Sequence, residues 1–322
     1  MGSLAHMLKT SAVLLLALAV TAGCETAPSR LDTVANAPAV TKPTAPGAAP
    51  VTAQADHSGD VETRLRRVED NYAKYAEALE FLGKVYAQQK AQQHQQEAEE
   101  PDPTAVFAVG IDNDVAMGEV DGPASATVTI VKAFDFACPY CQRASDTMDQ
   151  LVKEYEGKVR VVYKDMVVHP QVATPAHLAA CGAAKQGKYL AFKNAVWEKG
   201  FLPYAAARDP GKLGEDNLLA IAKDVGLDVA KLKADMSGGE CNQKIQADMA
   251  ELAKFKVNST PTFFVNGIHV GGALPKEEFK KIIDERLKVA EASGVSGAEY
   301  YAKEVLGKGV PQFRSKVEGG AH

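Results

Sequence analysis

Residues 134–145 read FDFACPYCQRAS, and this stretch decides the fold. Its two cysteines, Cys138 and Cys141, are separated by Pro139 and Tyr140. A pair with this spacing can supply half of a zinc site, form a disulfide that only braces a turn, or exchange electrons with other thiols. The sequence on either side of the pair distinguishes these possibilities.

The pair lies where a predicted strand meets a predicted helix. Residues 126–136 (ATVTIVKAFDF) are rich in β-branched and aromatic residues, as strands are. A helix is predicted after Cys141, and a second strand at residues 159–168, VRVVYKDMVV. The helix is indicated by apolar residues on one face, Met148, Leu151, Val152 and Tyr155. A CxxC pair between a strand and a helix of an α/β domain is typical of a redox pair.

The position of the pair explains its spacing. Cys138 at the helix N-cap, with Pro139 in the first turn, lies beside backbone N–H groups that have no partner within the helix. These groups and the helix dipole stabilise a thiolate, and thiol pKa values in such settings fall from about 8.5 to roughly 3.5–7.5. We therefore predict that Cys138 is the nucleophile, that Cys141 resolves the mixed disulfide, and that this pair serves without another cofactor. An inert disulfide and a zinc site are the alternatives, and zinc would need two more ligands at suitable positions.

The N-terminal residues predict export. Lys9 precedes the apolar run SAVLLLALAVTAG at residues 11–23, which is too short to span a bilayer but has the length of a secretory signal. The run ends in TAGC at Cys24, which resembles the lipobox of bacterial lipoproteins, although Thr21 stands where leucine is usual. We predict a lipoprotein signal peptide at residues 1–23 and a lipid anchor on Cys24, on the periplasmic side of a bacterial membrane. An ordinary cleaved signal peptide is the alternative.

Export makes disulfides possible, because they persist outside the cytosol. Four cysteines remain beyond Cys24, and their spacing favours pairing Cys138 with Cys141 and Cys181 with Cys241.

Two further features bound the function. Residues 24–60 are rich in Pro and Ala and hold few large apolar residues, which predicts a disordered tether with a mean span of roughly 30–35 Å. The formal net charge of -5 offers no basic excess, so nucleic acid is not an expected partner.

Residues 61–100 carry a heptad pattern. Arg64 and Glu69 fall where opposite charges can pair between parallel chains, and the helix is expected to end near Pro101. We predict a helix that joins copies of the chain through residues 61–89; a helix folded onto its own domain is the alternative. The seam consists of Val61, Leu65, Val68, Tyr72, Tyr75, Leu79, Leu82 and Tyr86.

A hairpin is predicted near the C-terminus. Strands at residues 262–265 and 268–270 are joined by Asn266 and Gly267, a strong two-residue turn signal. A helix follows, with Phe279, Ile282, Ile283 and Leu287 on one face.

Three segments together resemble the DsbA-like branch of the thioredoxin-fold thiol-disulfide oxidoreductases: DFACPYC, CGAAKQGKY and TPTFFVNG. The resemblance covers roughly residues 104–293. It implies a thioredoxin fold over residues 101–293 with a helical insertion at about 172–252, preceded by the coiled-coil-like helix. It also implies a structural disulfide between Cys181 and Cys241 in the insertion, with two free buried thiols as the alternative.

The resemblance implies roles for residues beside the cysteine pair. Pro261 would be cis and lie against the active-site sulfurs, where its flanking backbone would hold a substrate peptide. Pro139, Tyr140 and Thr260 are the predicted substrate contacts. The implied clients are cysteine-containing exported proteins, and a membrane redox partner would reset the pair.

Two residues depart from the pattern of that branch. Lys132 stands six residues before Cys138, where relatives usually carry a buried acid; it could favour the thiolate, or pair with Asp135 or Asp165. Thr260 before the proline resembles the isomerase branch, as do the upstream heptads.

We expect a disulfide-donating oxidoreductase. An oligomeric isomerase or reductase is the first alternative, and a chaperone or metal-binding module without redox activity is the second. The sequence assigns no function to the C-terminal tail, residues 294–322.

Overall fold

The structure is a computed structural model that describes residues 56–319. The predicted signal peptide, the lipid anchor on Cys24 and most of the predicted tether lie outside the described residues. The chain divides into two units between Ala76 and Glu77, inside the first helix. Within residues 56–319, no helix is both long and apolar enough to cross a membrane.

Helix α1 spans Val61–Glu99. Asp60, just before the helix, accepts a hydrogen bond from the N–H of Thr63 at 2.8 Å. It ends just before Pro101, as expected from a residue that cannot continue a helix. None of its described side chains is buried. Within the second unit the seam residues Leu79 and Tyr86 are 51% and 68% exposed, so this part of the seam does not pack on its own unit.

The second unit is built on a five-stranded sheet in the order β1-β3-β2-β4-β5. Parallel pairing joins β2 and β3, and the other neighbours are antiparallel. The strands are β1 (Val120–Asp121), β2 (Val128–Phe134), β3 (Val159–Asp165), β4 (Thr262–Val265) and β5 (Ile268–Gly271).

Helices cover both faces of the sheet. They are α2 (Asp112–Met117), α3 (Pro139–Glu154), α4 (Pro170–Lys185), α5 (Tyr189–Ala195), α6 (Leu202–Ala207), α7 (Glu215–Asp224), α8 (Val229–Ser237), α9 (Gly239–Ala253), α10 (Lys276–Ser293), α11 (Gly297–Tyr300) and α12 (Lys316–Gly319). Two π-helical segments, Val196–Phe201 and Tyr301–Leu306, and a 3-10 turn, Pro210–Leu213, complete the set. Helices α4 to α9 form the insertion between β3 and β4.

Both strands around the cysteine pair are shorter than predicted. The backbone leaves the sheet after Phe134 and after Asp165 because it turns toward one buried carboxylate. Asp135 accepts the N–H of Ala137 at 2.6 Å and that of Val168 at 2.7 Å, so these groups no longer point along a strand ladder.

Alternation along the strands separates two cores. Ile130 and Phe134 of β2 face the larger core with α3, whereas Val131 and Ala133 face the smaller one. Lys132 has the same parity as Ile130, so its side chain also points to the α3 side, beneath the cysteine pair.

The predicted hairpin forms at the far edge of this sheet. Asn266 adopts a positive φ of 44° and Gly267 one of 84°, as a two-residue hairpin turn requires. The Asn266 side chain accepts the N–H of Thr129 at 2.8 Å, which ties the turn to β2.

Residues after Gly294 belong to the smaller core. Tyr300, Tyr301 and Val305 are buried, and the Tyr301 hydroxyl donates to the carbonyl oxygen of Val109 at 2.8 Å. The segment set apart in the sequence as a tail therefore covers one face of the sheet.

Candidate active site

The cysteine pair lies at the start of α3, with both thiols unbonded. Cys138 is the N-cap residue and Pro139 is the first helical residue. The pKa of Cys138 is lowered to about 6, chiefly because the Cys141 thiol donates a hydrogen bond to it. The Thr260 side chain and the N–H groups of Cys141 and Tyr140 lower it further, against the opposing effect of burial.

Cys141 differs sharply from Cys138. It has no solvent exposure, and burial, followed by the hydrogen bond to Cys138, raises its pKa well above the usual range. One thiol of the pair is therefore ionised at neutral pH and the other keeps its proton. This is the asymmetry that a nucleophile and a resolving thiol require.

A loop far away in sequence completes the site. The Thr260–Pro261 peptide bond is cis, and Pro261 is buried. Cys138 Sγ lies 3.3 Å from the carbonyl oxygen of Thr260, to which the thiol donates when it is protonated. Pairing of Ala133 in β2 with Thr262 in β4 brings this loop to the cysteine pair across 122 residues of chain.

The surface beside the sulfurs is partly aromatic. Pro139 is exposed, Tyr140 is 50% exposed, and the Arg143 guanidinium lies 4.6 Å from the centre of the Tyr140 ring. Thr260, whose carbonyl oxygen lies 3.3 Å from Cys138 Sγ, is also partly exposed.

Lys132 lies beneath the pair with no solvent exposure. Its Nζ donates to the carbonyl oxygen of Cys141 at 3.1 Å and to Ser145 Oγ at 2.8 Å. The expected alternative of an ion pair with Asp135 or Asp165 does not occur. Asp135 binds backbone N–H groups, and Asp165 binds Lys244 and His177.

His177 supports the loop before Cys138. Its Nε2 must be the acceptor in the 3.3 Å contact with the N–H of Phe136, because an amide can only donate. The proton is then on Nδ1, which lies 2.6 Å from Asp165 Oδ1. The imidazole thus links the active-site loop to β3.

Asp165 also contacts Lys244, which belongs to a cluster of buried charged residues. Lys164 Nζ lies 2.7 Å from Asp114 and 3.0 Å from Asp248, and Lys244 Nζ lies 2.7 Å from Asp248 and also contacts Glu119. The oxygens of Asp114, Glu119 and Asp248 are close enough to one another to bind a metal ion. Two ammonium groups already make ion pairs with them, so the cluster joins α2, β3 and α9.

Cys181 and Cys241 are joined by a disulfide that links α4 to α9. They are therefore not available as zinc ligands beside Cys138 and Cys141. The predicted lipidation site, Cys24, lies outside the described residues.

Sequence reasoning missed the contacts beneath the pair. Lys132 was singled out, but its partners Cys141 and Ser145 were not. The link from His177 to Phe136 was missed altogether, since it joins residues 41 positions apart. The sequence did contain a signal for the bond between His177 and Asp165. His177 lies in a predicted apolar helix, and Asp165 lies near the end of the preceding strand.

Curated relatives of two kinds match about half of the chain. The Na(+)/H(+) antiporter NhaA of Herminiimonas arsenicoxydans is 29% identical over 160 residues, which cover 50% of this chain and 24% of the antiporter. A protein of Bacillus cereus named probable disulfide bond formation protein D is 29% identical over 180 residues, or 54% of this chain and 78% of that protein. The chain spans about a quarter of the antiporter's length, so the match concerns one part of that protein.

A solved structure shares the architecture. Oxidised BdbD from Bacillus subtilis superimposes with a TM-score of 0.50 at 21% identity, covering 58% of this chain and 99% of BdbD. This likeness shows the fold: a thioredoxin fold with a helical insertion, as predicted.

A family model described as Thioredoxin matches residues 112–285, which is more than half of the chain. The matched range contains the cysteine pair, the helical insertion and the cis-proline loop. The chain belongs to the thioredoxin family.

Proposed function

We propose that this protein is a thiol-disulfide oxidoreductase that donates the Cys138–Cys141 disulfide to cysteine-containing exported proteins. The observation that carries the proposal is the pair itself. Cys138 has a pKa lowered to about 6 at a helix N-cap, beside a fully buried Cys141, with the carbonyl oxygen of Thr260 at 3.3 Å.

The reaction uses two exchanges. A client thiolate attacks Cys138 of the oxidised pair, the Cys138–Cys141 bond breaks, and Cys141 leaves with the electron pair and takes up a proton. A second client thiolate then attacks the client sulfur of the mixed disulfide, and Cys138 leaves as a thiolate. The client loses two electrons and the pair gains them. A membrane redox partner that reoxidises the pair would complete the cycle.

The direction follows from which state is stabilised. A thiolate exists only in the reduced pair, so every group that lowers the Cys138 pKa favours reduction of this pair and oxidation of the client. The Cys141 hydrogen bond, the N–H groups of α3 and the Thr260 side chain all act in this sense.

The role of the cis-proline loop is to hold the client. The Thr260 carbonyl and the backbone beside Pro261 would form main-chain hydrogen bonds with an extended client segment, while Pro139 and Tyr140 would contact its side chains. Backbone recognition suits an enzyme with many clients, since it does not depend on client sequence.

Site variants test the proposal. The client is a protein whose native disulfides have been reduced. The Cys138→Ser and Cys141→Ser variants are both expected to lose the ability to oxidise it, and the loss is expected to be more complete in Cys138→Ser. Full turnover by Cys138→Ser would end the nucleophile assignment. Unchanged activity in both variants would favour the chaperone or metal-binding alternative.

An oligomeric isomerase or reductase is the second candidate, and one observation favours it. The seam of α1 is exposed along its described length, and a second or third copy would bury it and bring several active sites to one client. A redox potential near that of strong oxidants in a monomer supports the oxidase. A more reducing pair in a dimer or trimer supports the isomerase.

The same proposal includes the location. A cleaved signal peptide and a lipid on Cys24 would hold the enzyme on the periplasmic side of a bacterial membrane, within reach of exported clients. Mass spectrometry of the protein from membranes tests this: a diacylglyceryl group on Cys24 is expected, and an unmodified N-terminus elsewhere would contradict it.

A further inference from the structure

Lys132 lies against the backbone of Cys141 and has one hydrogen-bonding position that no described residue fills. An ammonium carries three N–H donors, and a neutral amine carries two donors and one lone pair. Two donors are used on Cys141 O and Ser145 Oγ. Among residues 56–319, Lys132 Nζ makes no third hydrogen bond, and its distances to the ring centres of Phe134 and Tyr163 are 5.9 and 5.8 Å.

Cys141 needs a partner of this kind. In the reduced pair its proton is shared with Cys138. Once Cys138 is bound in a mixed disulfide it no longer offers a thiolate, and the Cys141 side chain is not exposed to solvent that could take its proton. Cys141 cannot attack Cys138 until that proton moves elsewhere.

We propose that Lys132 is the proton partner of Cys141, a role that rests on the redox function proposed above. When Cys141 closes the disulfide, its proton passes to the neutral amine of Lys132, and the Cys141 thiolate attacks Cys138. The Cys138–Cys141 bond forms, and the client leaves with its sulfur reduced. In the donating direction the ammonium of Lys132 returns the proton to Cys141 as it leaves.

The charge of a lysine gives this transfer its own character. Transfer from a neutral thiol to a neutral amine creates an ion pair, whereas a carboxylate in the same place would face the thiolate with a like charge. The charged and titratable groups that face Lys132 are Cys141, Asp146 and Asp149 from α3, Tyr163 from β3 and Lys193 from α5. Burial outweighs the nearby thiol and acids and lowers the pKa of Lys132 to about 7, so the amine can accept and return a proton near neutral pH.

The experiment measures the two steps by which glutathione disulfide oxidises the whole chain. The reduced protein is mixed with glutathione disulfide, quenched with acid at set times and analysed by mass. In the first phase Cys138 displaces one glutathione; in the second, Cys141 displaces the other. The second-phase rate of the wild type is expected to rise through about pH 7 and then level off.

Two variants separate proton transfer from charge. Lys132→Met removes the amine, and its second phase is expected to be roughly a hundredfold slower at pH 7 and to keep rising with pH. Lys132→Arg keeps a positive charge that does not titrate, so it is expected to behave like Lys132→Met. A wild-type rate in Lys132→Arg would mean that charge alone suffices and would overturn the proposal.

Lys193→Met is the matched control. Lys193 is also fully buried and lies 4.2 Å from the centre of the Tyr163 ring, but it donates to the Tyr163 hydroxyl and to Asp149 and makes no hydrogen bond to Cys141. The second-phase rate of Lys193→Met is expected to level off above about pH 7, as in the wild type. Absence of the first phase in the wild type would refute the redox function itself. A normal first phase, with an unchanged second phase in Lys132→Met, would refute only the role of Lys132.

Discussion

At the scale of single residues, the site depends on the difference between two thiols three positions apart. Cys138 at the N-cap receives hydrogen bonds that favour its thiolate, whereas Cys141 inside the first turn is shielded from water. The Cys-Pro-Tyr-Cys spacing predicted this difference, because the N-cap and the first turn have different environments in any helix. The contact with the Thr260 carbonyl adds what the motif alone does not contain.

Alkylation should report this difference directly. In the reduced chain, the rate at which iodoacetamide modifies Cys138 is expected to rise with a midpoint near pH 6, because the pKa of Cys138 is lowered to about 6. Cys141 is expected to stay unmodified in the folded chain. Peptide mass analysis identifies the modified thiol, and a midpoint near the free-thiol value of about 8.5 would contradict the assignment.

The same shift affects stability. The unfolded chain holds the Cys138 proton up to about pH 8.5, whereas the folded chain has released it above about pH 6. The free energy of unfolding of the reduced chain is therefore expected to increase between these pH values, and the gain is lost as the pH falls through 6. Denaturant unfolding of the wild type and Cys138→Ala at pH 5 and 8 checks the sign. An equal pH dependence in the two proteins would contradict it.

At the scale of elements, long-range contacts fix the helical insertion against the sheet. The disulfide from Cys181 to Cys241 joins α4 to α9, and Lys244 of α9 contacts Asp165 at the end of β3 and Glu119 just before β1. Through Asp165 and His177 this cluster reaches the loop that carries Cys138. The insertion thus supports the active site from behind.

Removal of the disulfide should cost stability and spare the chemistry. For a loop of 60 residues, the double variant Cys181→Ser with Cys241→Ser is expected to lose about 4 kcal/mol of unfolding free energy. Per folded molecule, exchange by Cys138 is expected to be retained. Denaturant unfolding and the exchange rate are the two measurements. A loss of exchange without a loss of stability would indicate a redox role for this pair.

Lys244 is the second test of the insertion. It contacts several buried carboxylates, so Lys244→Gln is expected to cost roughly 3–5 kcal/mol of unfolding free energy, as breaking a buried ion pair does. Lys254→Gln at the C-cap of α9 is the control, since the exposed Lys254 side chain makes an ion pair with Glu251 that is worth at most about 1 kcal/mol. Equal losses in denaturant unfolding would contradict the importance of the cluster.

The sequence predicted elements better than the contacts between them. Local patterns were sufficient for β2, α3 and the Asn266-Gly267 hairpin, since each depends on neighbours within one turn or strand. Strand ends were overestimated because the Asp135 side chain competes with the ladder for backbone N–H groups. The partners of Lys132 depend on which residue lies above it across the core, and no local pattern contains that information.

At the scale of the whole molecule, the chain combines a redox domain with a long exposed helix. The heptad seam was predicted from spacing, and the structure leaves its residues exposed, including Leu65 at 54% and Leu82 at 59%. Joining copies through this seam would raise the local concentration of active sites around one client. The central redox chemistry does not require it.

Substitution in the seam tests this. Leu65→Lys with Leu79→Lys is expected to convert an oligomer into a monomer in sedimentation of the full-length chain, because charge on the seam opposes burial. A control pair on charged positions of the same helix, Lys74→Ala with Lys84→Ala, is expected to leave the mass unchanged. The rate of client oxidation per site should not change. A wild-type chain that sediments as a monomer would contradict self-association.

The most direct test of the central claim is capture of the covalent intermediate. When the Cys141→Ser variant is mixed with a client that carries a disulfide, its Cys138 can attack that disulfide and form a mixed disulfide with the client. No Cys141 thiol is then present to release the client. The redox function predicts a stable client complex whose peptide mass places the bond on Cys138 and whose mass collapses on reduction. A Cys141→Ser chain that forms no such complex, with its Cys138 thiol intact and accessible, would contradict the account.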